Sequence, residues 1–151
     1  MKDVLIRILA AQTGDDPNET EELAEFTTEG QMECADGSGM LTYAESELTG
    51  MEGTQTTITF TPDGAVLKRV GNLTGRMVFA PGKRNTFLYE TPYGTTTVGL
   101  ETKRFASTLT ECGGALEIDY VVDFDHALVG LNHLHITVTE KTYGKRDQTH
   151  G

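Results

Sequence analysis

Apolar and polar residues alternate along most of this chain. In ALEIDYVVDF, Leu116, Ile118, Tyr120, Val122 and Phe124 fall on one side, with Glu117, Asp119 and Asp123 on the other. In LVGLNHLHITV, Leu128, Asn132, Leu134, Ile136 and Val138 share a side opposite His133, His135 and Thr137. Val4, Ile6 and Ile8 repeat the pattern near the start, and Phe26 with Met32, Ile58 with Phe60, and Met77 with Phe79 mark further inward sides. Successive side chains of an extended strand point to opposite faces, so period two predicts strands with one apolar face each.

Turn signals punctuate these runs at regular intervals, among them Asp36–Gly39, Gly50–Gly53, Pro62–Gly64, Gly71–Gly75, Pro92–Gly94 and Glu111–Gly114. Their residues supply a positive or a preset φ. The spacing predicts about ten strands in one domain. Residues 17–26 would allow a helical turn capped by Asn18, but FTTEGQMEC alternates, and the strand is extended back through it. A meander of antiparallel strands hides its apolar face by rolling into a barrel; two stacked sheets would also serve. The expected domain spans 1–143, with a frayed tail at 144–151.

Composition supports this reading. Threonine occurs 24 times in 151 residues and there is no Trp. Thr is β-branched and suits a pleated surface. A net charge of -11 excludes nucleic acid and anionic membrane as partners. Part of the excess is local, in Asp15, Asp16, Glu19, Glu21, Glu22 and Glu25, a solvated face. Arg7 breaks the early apolar run, so a strand is expected there rather than a leader, and nothing approaches a membrane span. Cys34 and Cys112 stand apart, outside any zinc or redox spacing, and read as reduced thiols of a cytoplasmic protein.

Candidate chemistry centres on YAESELTGMEGTQTT, Tyr43 to Thr57, which reads as strand, tight turn and strand. Leu41, Tyr43, Glu45 and Glu47 share one face; Met40, Thr42, Ala44, Ser46 and Leu48 share the other. With the small face inward, the glutamates are solvated. With the other inward, a cavity holds two carboxylates fit for general acid–base work. Glu52 follows in the turn. Arg69 shares a face with Leu67, and facing inward it would demand a carboxylate such as Glu45 or Glu47, or an anionic ligand. Arg76 faces away from Met77 and Phe79 and is expected in solvent. Asn132 interrupts an apolar face, as a hydrogen-bond hub or a ligand contact. Tyr89 and the turn residue Tyr93 would pack the turn or form an aromatic lip on a pocket. His133 and His135 lie on one side of a strand, but the face is outward; no metal and no cofactor is expected. Cys112 has no neighbouring His to make it a nucleophile.

Five segments in this order, YAESELTGMEGTQTT, LKRVGN leading to MVF, YETPYG, ECGG before IDY, and LNHLHI, resemble the YwiB family of small bacterial proteins, a family without established activity. The resemblance runs from the first strand to about Lys141. It is carried by Tyr43, Glu45, Glu47, Gly50, Glu52, Gly53, Arg69, Gly71, Met77, Phe79, Tyr89, Thr91, Tyr93, Gly94 and Asn132. It implies a calycin fold, a lipocalin-like antiparallel barrel, and so favours barrel over sandwich.

Three functions are compatible with such a barrel. The first is binding of a small, partly apolar ligand inside it, oriented by Tyr43, Glu45, Glu47, Glu52, Arg69, Tyr89, Tyr93 and Asn132. The second is a hydrolase or isomerase with Glu45 or Glu47 as acid–base and Arg69 stabilising negative charge. The third is a filled barrel whose acidic exterior meets a partner protein or a second copy in a homodimer.

Overall fold

The computed structural model describes residues 1–13, 20–45, 52–124 and 127–141. These form ten strands: β1 (Lys2–Thr13), β2 (Thr20–Ala35), β3 (Ser38–Ala44), β4 (Thr54–Thr61), β5 (Gly64–Gly71), β6 (Gly75–Phe79), β7 (Arg84–Thr91), β8 (Gly94–Ser107), β9 (Gly113–Phe124) and β10 (Ala127–Glu140).

Local chemistry sets the reversals. Asp36 and Gly37 take φ of 54° and 81°, the left-handed pair that a two-residue hairpin between twisted strands needs. Three other turns share a Thr-x-x-Gly pattern at Thr61–Gly64, Thr91–Gly94 and Thr110–Gly113. In each, the Thr hydroxyl accepts the N–H two residues on: from Asp63 at 3.2 Å, Tyr93 at 3.1 Å and Cys112 at 3.1 Å. It then donates to the glycine carbonyl, at 3.4, 3.0 and 3.1 Å respectively. The hydroxyl thus replaces backbone partners that a tight reversal strands. The two residues between Thr and Gly point outward, which leaves Tyr93 99% exposed and Cys112 exposed.

The strands make one antiparallel sheet in the order β6-β5-β4-β3-β2-β1-β10-β9-β8-β7. The first and last strands pair with each other over Val4–Thr13. The sheet therefore curls with its free edges, β6 and β7, in mid-sequence. Those edges meet just outside β6, where Thr74 and Glu90 exchange two backbone hydrogen bonds of 2.9 and 2.8 Å. The Asn85 amide adds a 3.4 Å bond to the Val78 carbonyl across the same seam. The result is a nearly closed up-and-down barrel, the architecture expected of a calycin-like fold. No helix among the described residues is long and apolar enough to cross a membrane.

Alternation places the core as expected. Val4, Ile6, Met32, Leu41, Ile58, Phe60, Leu116, Ile118, Ile136 and Val138 are buried in one continuous cluster. Three threonines belong inside as well, and each has its hydroxyl engaged. Thr54 accepts the Leu73 N–H at 3.1 Å, Thr102 accepts the Ala80 N–H at 3.1 Å, and Thr56 donates to Glu45. Buried hydroxyls are tolerated only when so engaged. Side-chain expectations at Phe124 and Leu128, the Asn18 cap and the tail all fall outside what is described.

Candidate functional site

One transverse row of the barrel carries the polar interior. Tyr43 on β3 stands opposite Thr56 on β4, Thr56 opposite Arg69 on β5, and Arg69 opposite Gly75 on β6. Across the seam, Tyr89 on β7 completes the row. Its hydroxyl lies 3.2 Å from Arg69 Nη1, having crossed over Gly75, where a side chain would collide with its ring. One step beyond Tyr43, Glu45 extends the strand, with its N–H bonded to the Thr54 carbonyl at 2.8 Å.

The face left open between two alternatives is thus resolved at Glu45: Leu41, Tyr43 and Glu45 point inward. The Glu45 side chain is wholly buried. Its Oε2 accepts the Thr56 hydroxyl and lies 3.7 Å from Arg69 Nε, an ion pair rather than a hydrogen bond. Glu45 Oε1 and Arg69 Nε are buried without a hydrogen-bond partner among the described residues. Buried polar atoms of native proteins are nearly always paired, so two adjacent orphans, one acceptor and one donor, are unusual.

Electrostatics follow from this crowding. Burial, and after it the Glu45 carboxylate, push the Tyr43 phenol well above its ordinary range, with Arg69 pulling the other way. Burial likewise raises Tyr120 against the opposing pull of Arg69. For Arg69, burial disfavours the charge, but Tyr89, Tyr43 and Glu45 outweigh it and hold its pKa above the usual value. At neutral pH the Tyr43 and Tyr120 phenols are uncharged and Arg69 is a cation.

Above this row lies a cavity of about 370 Å³, lined by Ile8, Ala10, Ala24, Phe26, Tyr43, Glu45, Leu67, Arg69, Met77, Phe79, Tyr120, Leu134 and Ile136. Large side chains fill the opposite end of the barrel. Ala10 and Ala24 face each other where β1 and β2 pair, and these small residues leave the space. Ala24 is itself exposed, which puts the mouth there. On the far wall the Phe79 and Tyr120 rings meet edge to face at 5.1 Å. The space is a partly apolar pocket with a few convergent polar groups, the usual form of a small-molecule site.

Of the candidate residues, Tyr43, Glu45 and Arg69 line this cavity, and Tyr89 supports Arg69 from across the seam. Glu47 lies outside the described residues. Glu52 is exposed in a turn, where its carbonyl accepts the Asn72 amide at 2.9 Å, and it does not line the cavity. Tyr93 is a turn tip pointing to solvent and is neither packed nor a lip. Asn132 is half-buried one step beyond Leu134, where its amide donates to the Tyr120 carbonyl at 3.5 Å; it does not line the cavity. Sequence reading passed over Thr56, whose burial is signalled by its alternation with Ile58 and Phe60. It took Gly75 for a turn residue, and nothing local marks the ring above it.

Outside the barrel, His133 Nδ1 lies 2.8 Å from Asp119 and its Nε2 2.9 Å from the Thr13 hydroxyl. Arg104 stands 3.6 Å from Glu117 and 3.9 Å from Asp119. These are cross-strand pairs on a wet face, and among the described residues no cluster fit to hold a metal ion occurs.

Comparison with known proteins agrees with the architecture. The chain superimposes on the crystal structure of ywiB protein from Bacillus subtilis with a TM-score of 0.78, at 20% identity, over 93% of both chains. At that identity the likeness shows the fold alone. No curated protein matches the chain. The family model described as Domain of unknown function (DUF1934) matches residues 6–136, so the chain belongs to that family.

Proposed function

We propose that the barrel binds a small, partly apolar molecule in its interior cavity. A single observation carries the reading. The cavity of about 370 Å³ is lined by a buried Glu45–Arg69 pair of which two atoms, Glu45 Oε1 and Arg69 Nε, have no hydrogen-bond partner among the described residues. Leaving each such group unsatisfied costs about 1–3 kcal/mol, more for charged groups. A ligand that satisfied both would recover that energy. Ile8, Phe26, Leu67, Met77, Leu134 and Ile136 would supply affinity through their apolar surface, and Tyr43, Glu45 and Arg69 would fix orientation. Tyr89 contributes indirectly by holding the guanidinium.

Native mass spectrometry of the purified protein tests this. The expected result is a population heavier than the bare chain by the mass of one small molecule, released on denaturation and lost when Ala24→Phe closes the mouth. A bare-chain mass alone, together with no saturable binding from a small-molecule screen, would overturn it.

A further inference from the structure

The charges in the cavity restrict the ligand's chemistry further. Glu45 and Arg69 are the charged groups among its described lining residues, and they neutralise each other. A carboxylate ligand would set a second negative charge against Arg69 beside Glu45. An ammonium ligand would set a second positive charge beside Arg69. Either leaves one charge buried and uncompensated, which is the expensive arrangement. The orphan atoms add a second restriction. A carboxylate oxygen only accepts and a guanidinium nitrogen only donates. A ligand head that engages both orphan atoms presents a donor to Glu45 Oε1 and an acceptor to Arg69 Nε, side by side, since Oε2 of the same carboxylate is 3.7 Å from that nitrogen.

We propose that the ligand carries an uncharged head with an N–H and a C=O on one edge, a primary carboxamide, a lactam or a ureide, on an apolar body. A primary or cyclic amide offers donor and acceptor on the same edge; an open-chain trans secondary amide places them on opposite edges and fits less well. The cavity equals the liquid volume of about a dozen waters, which suits one ring system and its head. The proposal rests on the reading that the cavity binds a small molecule, and the test separates the two.

Affinities of 2-naphthamide, 2-naphthoate and 2-(aminomethyl)naphthalene for the full chain at pH 7 are measured by calorimetry, with methyl NMR of Ile8, Leu134 and Ile136 locating each probe. The expected order has 2-naphthamide at least tenfold tighter than either charged probe. Glu45→Gln leaves Arg69 uncompensated and shifts preference at least tenfold toward 2-naphthoate. If wild type binds 2-naphthoate as tightly as 2-naphthamide at those methyls, the head-group assignment is wrong and cavity binding stands. If none of the three probes moves those methyls at millimolar concentration, cavity binding itself is wrong. The wild-type series decides both points even if Glu45→Gln does not fold.

Discussion

Gly75 lies beneath the ring of Tyr89. A β-carbon at position 75 would stand 2.9 Å from Cε1 of that ring and nearer still to Cδ1. The absent side chain is what lets Tyr89 cross the seam between the barrel's free edges and reach Arg69 at 3.2 Å. Gly75→Ala is therefore expected to destabilise the protein by about 1–3 kcal/mol, as overpacking does. The cost should fall below about 0.5 kcal/mol in a Tyr89→Ala background, where the collision is gone. Urea unfolding of the four proteins of this cycle measures both. Additive costs would show that the two residues do not meet.

The Glu45–Arg69 pair separates stability from binding. Arg69→Met leaves a wholly buried carboxylate with the Thr56 hydroxyl and the neighbouring Tyr43 phenol but no cation, and about 3–5 kcal/mol of stability should be lost. Glu45→Leu combined with Arg69→Met removes both charges and should restore most of it. The double variant should nevertheless lose binding of polar-headed probes by at least tenfold. Chemical denaturation and calorimetry on the same samples check the pair of outcomes.

Two phenols of the interior, Tyr43 buried and Tyr120 half-buried, predict a definite response to alkali. The folded-state pKa of Tyr43 and Tyr120 is raised by burial, so the folded protein binds their protons more tightly than the unfolded chain does. Their contribution to stability is complete below the ordinary phenol pKa of about 10 and is lost as pH rises above it. Ultraviolet titration should show the part of tyrosine ionisation that belongs to Tyr43 and Tyr120 lagging until the protein unfolds, then a jump. Tyr43→Phe should shrink the jump. Smooth ionisation of all 5 tyrosines without unfolding would contradict this.

The mouth gives a prediction with little structural cost. Ala24 is exposed yet borders the cavity, so Ala24→Phe should block entry and weaken probe binding at least tenfold. Stability should change by no more than about 0.5 kcal/mol, as is usual for surface positions. Equal affinity in the variant would place the entrance elsewhere.

The barrel was legible because burial on one face repeats a simple rule: Leu116, Ile118, Ile136 and Val138 sit where period two puts them. The inward Glu45 was not, because Leu41-Tyr43-Glu45 and Met40-Thr42-Ala44 are equally plausible inner faces by composition. What decides is the register that sets Tyr43 against Thr56 and Thr56 against Arg69, a relation between strands rather than within one. Tyr93 was misjudged for a different reason. Thr-x-x-Gly occurs within strands as well as at three turns of the described residues, and only the hydroxyl geometry shows which are turns with their middle residues outward. Asn132 interrupts an apolar run as read, yet its amide turns to the Tyr120 carbonyl of the neighbouring strand and it does not line the cavity.

Contact between a ligand and the Glu45–Arg69 pair is the step on which cavity binding turns. Its most direct test is the Nε–Hε resonance of Arg69 in ¹⁵N-labelled protein, assigned by its disappearance in Arg69→Lys and titrated with 2-naphthamide. A saturable shift of that resonance is expected, in step with the Ile136 and Leu134 methyls. A resonance that stays fixed while the protein remains folded and the probe reaches millimolar concentration would contradict it.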